Sequence, residues 1–423
     1  MTKKILYVHH GAINGGAAIA LLNILDAIDR TVYNPVVCCT DTRADEVSKF
    51  FANKGYATTV CALRPFSHTT GGGYSLLNPL SLWELLGWCI DYPSALARFT
   101  KVIAQENPDL VHLNSLVLAP YAQVAAKKQI PVLLHEREAV LPGVLGIRTA
   151  WLRWHINRYV AAVLFICEDY ARRLQVRNAI TNLLYDGIDF IRFSPSLTMQ
   201  TARVALGIPE DAKVVLFAGG AKAINKGRDI FLAAMGPILQ QNDNLIVLLP
   251  SFSWPIFPIE RKQSLIKMLA RVLGYYRRIE APVAQLIKSG KLEKCLHFFP
   301  FREDIENFIA ASDVVCIPHI LPHCSLTLIQ AWGAQRAVVV SKIGGLEEFV
   351  KDAENALVVK PGDAVQLAEA VTRLLSDTEL NNKISKGGFE YAVKTFDIPQ
   401  LVLKLESLYR TLLNEETDMS AKS

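Results

Sequence analysis

The chain has 423 residues, of which 51% are hydrophobic and 20% charged, with 45 basic and 40 acidic residues giving a net charge of +5. That length suits roughly two or three domains. That composition excludes disordered, collagenous and low-complexity chains, and the small positive excess gives no argument for a nucleic-acid partner.

The N-terminus, MTKKILYVHHGAINGG, has an apolar run too short for a signal-peptide core before His9, His10 and Asn14 interrupt it. No uninterrupted apolar stretch of about 18 residues follows, so no membrane span is expected. The eight cysteines form no C-x-x-C pair. They read as small buried hydrophobes in a reducing compartment rather than disulfides or a zinc site. A cytoplasmic protein is expected, with possible peripheral contact at the inner face of a membrane.

Short apolar runs then alternate with helical patterns. Ile5–Val8, Val36–Cys39, Thr58–Cys61, Leu110–Leu113, Val132–Leu134 and Ala162–Ile166 read as strands of a first sheet. Val214–Ala218, Leu245–Leu249, Leu296–Phe299, Val314–Ile317, Ala337–Ser341 and Leu357–Val359 read as strands of a second. Continuous rather than alternating apolar runs suit parallel strands buried on both faces. Helices such as Ala17–Ile28, Asp229–Leu239 and Asp363–Leu375 complete βαβ units. The fold class is therefore α/β, with two Rossmann-like doubly wound domains. Residues 1–190 and 191–395 form them, and 396–423 adds a helix returning to the first domain and a polar tail.

Two stretches interrupt the alternation. One carries Leu82, Trp83, Leu85, Leu86 and Trp88; the other carries Arg148, Trp151, Arg153, Trp154 and Arg158 at helix-like spacing. Interleaved Trp and Arg suit either an anionic bilayer surface or a half-buried helix with snorkelling arginines. A third stretch, Arg261–Arg278, reads as a basic, solvated helix face.

Four strand-to-helix loops carry the candidate chemistry. His9–Ala17 holds Gly15 and Gly16, where a ligand can approach the backbone and the next helix offers free N–H groups. It is not a G-x-G-x-x-G, which argues against a dinucleotide dehydrogenase. Phe217–Gly227 pairs Gly219 and Gly220 with Lys222 and Lys226, and Arg228 follows; an ammonium here can sit over a diphosphate. In Ile317–Trp332 a Pro-rich loop leads into a helix beginning near Ser325 and Leu326. Ser341–Glu348 holds Gly344, Gly345 and Glu348. Three such loops on one sheet edge point to an extended, phosphate-bearing ligand. There is no nucleophile elbow, Walker loop, zincin motif or D-x-D, so neither metal nor cofactor is expected.

In order and spacing these residues resemble the family 4 type of retaining nucleotide-sugar glycosyltransferases, of GT-B architecture. The resemblance spans nearly the whole chain. It is carried by Gly15-Gly16-Ala17, Pro108-Asp109-Leu110-Val111-His112, Ile130–His135, Tyr185–Asp189 with Phe193, Ser312-Asp313-Val314 with Pro318, Gly344-Gly345 with Glu348, and Pro361-Gly362-Asp363. It implies two domains facing a cleft, with an acceptor held by the first and a nucleotide sugar of UDP or GDP type by the second. The acceptor would be a glycan or lipid-linked molecule in surface polysaccharide or glycoconjugate biosynthesis.

The same resemblance places Lys226 on the diphosphate, His135 against donor sugar or acceptor, and Glu136, Arg137 and Glu138 near the acceptor. The Pro318-His319 and Pro322-His323 pairs resemble a Pro-His variant loop that puts His323 in the donor set. Gly220 stands where the family has an arginine on the diphosphate. Pro322 and Gln330 stand where it has two glutamates, and Gln330 would bind ribose. Those departures keep two alternatives open: a non-catalytic sugar-nucleotide-binding scaffold, and a sugar-nucleotide epimerase of the same fold.

Overall fold

A computed structural model describes residues 2–11, 15–40, 44–70, 72–73, 79–220, 224–251 and 295–414. Lys222, the basic stretch Arg261–Arg278 and the tail after Asn414 lie outside them. In chain order the elements begin β1 (Lys3–His9), α1 (Gly16–Ala27), β2 (Tyr33–Cys39), α2 (Ala44–Asn53), β3 (Ala57–Val60), β4 (His68–Thr69), β5 (Gly72–Gly73) and α3 (Pro79–Glu106). Next come β6 (Leu110–Leu113), α4 (Ala122–Ala126), β7 (Val132–Glu136), α5 (Ile147–Tyr159), β8 (Ala162–Phe165), α6 (Glu168–Leu174) and β9 (Ile180–Leu183). The second half gives α7 (Met199–Leu206), β10 (Lys213–Leu216), α8 (Arg228–Gln241), β11 (Leu245–Pro250), β12 (Leu296–Phe299), α9 (Ile305–Ala311), β13 (Val314–Ile317) and α10 (Leu326–Gly333). It ends with β14 (Ala337–Ser341), β15 (Leu357–Val359), α11 (Ala364–Ser376), α12 (Thr378–Thr395) and α13 (Ile398–Leu412).

The chain divides into two compact units, Met1–Gly187 with Phe396–Ser423, and Ile188–Thr395. In the first, seven strands pair in the order β3-β2-β1-β6-β7-β8-β9, every pairing parallel. The six strands of the second run β12-β11-β10-β13-β14-β15, again all parallel. Each sheet is doubly wound, and its order reverses between β1 and β6 in one unit and between β10 and β13 in the other. Parallel sheets of this kind bind ligands beyond the C-terminal ends of their strands at that reversal.

The cores follow from the apolar runs. In the first unit Ile5, Tyr7, Leu110, Leu133 and Leu164 of the sheet meet Leu21 and Leu25 of α1. The returning helix α13 adds Leu401, Val402, Leu405 and Tyr409 to the same cluster. In the second, Val215, Val247, Val314 and Val339 meet Phe231 and Met235 of α8 and Leu367 and Val371 of α11. Burying each such side chain stabilises by about 1.5–3 kcal/mol. All eight cysteines are free thiols, and only Cys89 is exposed. Among the described residues no helix is long and apolar enough to cross a membrane.

Candidate functional site

In the second unit three loops meet at the C-terminal edge of β10, β13 and β14, and backbone contacts pin them together. The Ile320 N–H donates to the Asn225 carbonyl at 3.0 Å, joining the loop after β13 to the turn before α8. The His323 N–H donates to the Gly344 carbonyl at 3.1 Å, and Cys324 Sγ to the Gly345 carbonyl at 3.3 Å, joining the loops after β13 and β14. Glycine is required where these loops touch. A Cβ on Gly227, whose φ is +77°, would lie 1.8 Å from the Pro318 carbonyl oxygen. One on Gly345, at φ +86°, would press on the His323 and Cys324 backbone.

Lys226 closes the 3-10 turn Ile224–Lys226 inside this cluster. Burial lowers the pKa of its ammonium. Its charge in turn helps burial hold both His319 and His323 neutral, and the His323 pKa falls to about 3. The two imidazoles lie edge to face with centroids 5.1 Å apart. Among the described residues no carboxylate lies within ion-pair distance of Lys226. A half-buried cation flanked by two neutral rings is an environment that favours an anion.

The other anticipated donor residues lie on the loops after β10 and β14 and on α10. Gly219 and Gly220 follow β10, and a Cβ on Gly219 would strike the Phe217 ring at 2.2 Å. Ser325 is the N-cap of α10 but its hydroxyl makes no capping bond, and the first turn, starting at Leu326, carries no acidic residue. The leading N–H groups of that helix therefore keep their capacity for an anion. Gln330, on the same helix, is 6% exposed. Glu348 is half-buried and adds to burial in raising the Tyr391 pKa. Arg228, a candidate substitute for the arginine that Gly220 replaces, instead binds Asp229 through Nε (2.7 Å) and Nη2 (2.6 Å).

The first unit places a different chemistry at its reversal point. Gly15 is the N-cap of α1 and Gly16 its first residue. Beside them Asn114 Nδ2 donates to His9 Nδ1 at 3.0 Å and to the Ala17 carbonyl at 3.3 Å. Arg137 Nε donates to Asn114 Oδ1 at 2.7 Å, its Nη2 to His135 Nδ1 at 3.2 Å, and its Nη1 pairs with Asp186. Because Arg137 can only donate, His135 Nδ1 and Asn114 Oδ1 must accept. The amide then donates to His9 Nδ1, and both histidines carry their hydrogen on Nε2. Neither Nε2 has a partner among the described residues.

Behind this row His112 Nδ1 lies 2.6 Å from the Tyr409 hydroxyl, which donates to the Tyr7 hydroxyl at 2.9 Å. Burial and then Arg137 hold His112 well below its usual range. The sequence expectation set His135 against the ligand. In the structure its ring is 1% exposed and lies tilted against His112, with centroids 5.4 Å apart. Sequence reasoning did not single out Asn114 or Asp186. Asn114 follows directly on β6, a position that becomes significant once the strand order is known.

The sequence matches two families of known proteins. Residues 15–181 match the family described as Glycosyl transferase 4-like domain, and residues 257–391 match Glycosyl transferases group 1. A D-inositol 3-phosphate glycosyltransferase of a Nocardioides species is 28% identical over 215 residues, 50% of this chain and 44% of that protein. D-inositol 3-phosphate glycosyltransferase 1 of Catenulispora acidiphila is 25% identical over 341 residues, 76% of this chain and 77% of that one. Among solved structures, Anabaena Alr3699/HepE in complex with UDP and glucose superposes with a TM-score of 0.72 at 20% identity, over 97% of this chain and 100% of that chain. At that identity the likeness establishes the GT-B fold and nothing finer.

Proposed function

The chain belongs to the glycosyltransferases of GT-B fold whose two domain types its halves match, and on that premise we propose that it moves a sugar from a nucleoside diphosphate to a hydroxyl acceptor with retention at the anomeric carbon. The observation that carries this reading is Lys226, a half-buried ammonium with no carboxylate within ion-pair distance among the described residues, where three loops meet, two of them bearing glycines.

The proposed chemistry needs little beyond that charge and good positioning. As the bond from the anomeric carbon to the diphosphate oxygen breaks, negative charge grows on the leaving phosphate. The Lys226 ammonium and the N–H groups opening α10 stabilise it. The acceptor hydroxyl attacks from the face the diphosphate leaves, and its proton passes to the departing phosphate oxygen. Gln330 holds the ribose diol, and Glu348 orients the sugar. The first unit takes the acceptor, with Arg137 fixing His135 and Asn114 in place. UDP is the proposed nucleotide because solved relatives of this fold hold UDP and UDP-glucose.

Calorimetry with UDP and GDP, followed by transfer from the UDP-sugar, tests the reading. Lys226→Met should keep the wild-type melting temperature and lose turnover by roughly 10²–10³-fold, the usual cost of one such electrostatic contact. Wild-type turnover in that variant would refute the role. Epimerised donor in the absence of acceptor, or tight UDP binding without transfer across an acceptor panel, would favour the two alternatives.

A glycan or lipid-linked acceptor used at a membrane surface is the finer part of this proposal. Its support is an apolar stripe on α3, where Trp83 is 74% exposed, Leu86 48% and Ile90 70%. These lie three and four residues apart, on one helical face. On α5, by contrast, Trp151 turns inward onto Phe66 and Trp88, while Trp154 is 54% exposed. Flotation with anionic vesicles should capture the protein and release Trp83→Ser/Ile90→Ser. Indifference of the wild type to vesicles would remove this part and leave the transfer reaction standing.

A further inference from the structure

The second unit has a polar cavity at the opposite ends of its strands from the donor loops. It has a volume of about 350 Å³ and is lined by Lys213, Asp313, Gln335, Arg336, Asn382 and Ser385, among others. Lys213 opens β10, Asp313 immediately precedes β13 and Arg336 immediately precedes β14. The cavity therefore lies below the sheet's N-terminal edge, within one unit.

Its charges do not balance. Asp313 is the one carboxylate in the lining, and Arg203 already claims it: Nη2 of Arg203 lies 2.9 Å from Oδ2. The same oxygen accepts the Val214 N–H at 2.7 Å. Arg203 is satisfied in turn, giving Nε to the Ala311 carbonyl at 3.1 Å and Nη1 to the Glu210 carbonyl at 2.5 Å. Arg336 and Lys213 are left over, and among the described residues neither has a carboxylate within ion-pair distance. Arg336 Nε is closed off from solvent and has no acceptor among the described residues. A ligand in the cavity therefore meets the guanidinium through its terminal nitrogens, the part of this half-buried side chain that lines the space.

We propose that this cavity is a second ligand site, taking a phosphate dianion on the Arg336 guanidinium with the Lys213 ammonium at its rim. Arg203, Arg336 and Lys213 against the single Asp313 leave a surplus of two positive charges, which matches a phosphate near neutral pH. A planar guanidinium suits paired phosphate oxygens. The amides of Gln335 and Asn382 and the hydroxyl of Ser385 offer further donors around a tetrahedral group. The phosphate is either free or the end of a small monoester. Its binding beneath β10, β13 and β14 is separate from that of the donor on the loops above them.

The test uses the full chain carrying Lys226→Met, so that phosphate does not report on the donor loops. Orthophosphate and glycerol 3-phosphate are titrated by thermal shift and calorimetry at constant ionic strength. Orthophosphate should raise the melting temperature, and a tighter response to the ester would identify the ligand as a monoester. Adding Arg336→Met should weaken binding by at least about tenfold, the loss expected for one charge-assisted contact. Adding Asn382→Asp instead, at an exposed position on the lining, should weaken it comparably through charge repulsion without touching the buried guanidinium. No phosphate response in the Lys226→Met protein would overturn the proposal, as would a response that survives both second substitutions. UDP binding to Arg336→Met alone, expected at wild-type strength, separates this site from the donor reading.

Discussion

At the reversal point of the first sheet the polar groups answer one another: Arg137 serves Asp186, Asn114 and His135, and Asn114 serves His9. At the same point of the second sheet Lys226 stands among neutral imidazoles and glycines. The strand order is shared; the electrostatics are opposite. The first arrangement pairs its guanidinium with a carboxylate and fixes side-chain orientation, leaving the Nε2 atoms of His9 and His135 without partners among the described residues. The second leaves one charge uncompensated among the described residues and gains most from an anion. Under the proposed function the first arrangement would position an uncharged hydroxyl and the second would seat a diphosphate.

The largest expected effect breaks the closed network. Arg137→Met strands the partly buried Asp186 carboxylate and frees the orientations of Asn114 and His135. Removing one member of a buried pair costs about 3–5 kcal/mol, so urea unfolding should show a loss of that order. A loss below about 1 kcal/mol would mean the pair is effectively solvated and the contrast between the units is overstated.

The glycines give the next contrast. Gly227→Ala places a Cβ against the Pro318 carbonyl oxygen and forces a positive φ on alanine. It should cost about 1–3 kcal/mol and weaken UDP binding, because it unpins the turn that carries Lys226. A Cβ on Gly16 meets nothing within 4 Å. Gly16→Ala should therefore leave stability within about 0.5 kcal/mol of wild type. Equal effects at the two positions would count against the pinned-loop geometry.

Acid distinguishes the units further. Burial lowers His9 to about 3 and His68 and His155 to about 4, and holds His112 and His135 lower than their ordinary range. All five lie in the first unit; three lowered likewise, His297, His319 and His323, lie in the second. The unfolded chain protonates these rings near pH 6.5 while the folded chain does not. Between that pH and the folded values the unfolded state binds more protons, so stability falls as pH falls, by up to about 1.4 kcal/mol per unit for each ring. Glu136 opposes this: burial above all raises its pKa, so its contribution is lost as pH rises above about 4.5, where the unfolded carboxyl ionises. Hydrogen exchange from pH 7 to pH 5 should show the first unit opening before the second. His9→Gln should flatten the pH dependence by one proton, and uniform opening would refute the assignment.

Much of this architecture was legible from apolar runs alone. All twelve strands expected from the sequence form, within a few residues of their expected ends. β9 gave no such signal, because its four residues are all exposed at a sheet edge and form no buried run. Lys226 was legible because glycines and a cation after a strand are a local pattern. Its setting came only from the resemblance, which put His323 in the same donor set; His319 and His323 lie in a loop nearly a hundred residues downstream. The ties from Arg137 to Asp186 and from His112 to Tyr409 span 49 and 297 residues. Periodicity reports which face of a strand is buried; it carries no information on which polar groups meet across the sheet.

The smallest expected effect concerns Arg228, which from sequence alone could replace the arginine absent at Gly220. Its Nε and Nη2 both bind Asp229, in the first turn of α8, where a carboxylate also favours the helix dipole. A guanidinium neutralised by its neighbour adds little field at a diphosphate. Arg228→Gln should therefore change UDP affinity by less than about threefold, whereas loss of a working phosphate contact would cost tenfold or more. Asp229→Asn sharpens the point, since it frees the guanidinium and should tighten UDP binding if Arg228 can reach the phosphate. A large loss in Arg228→Gln would mean that the pair opens when the nucleotide arrives, and that the second unit answers the diphosphate with two cations rather than one.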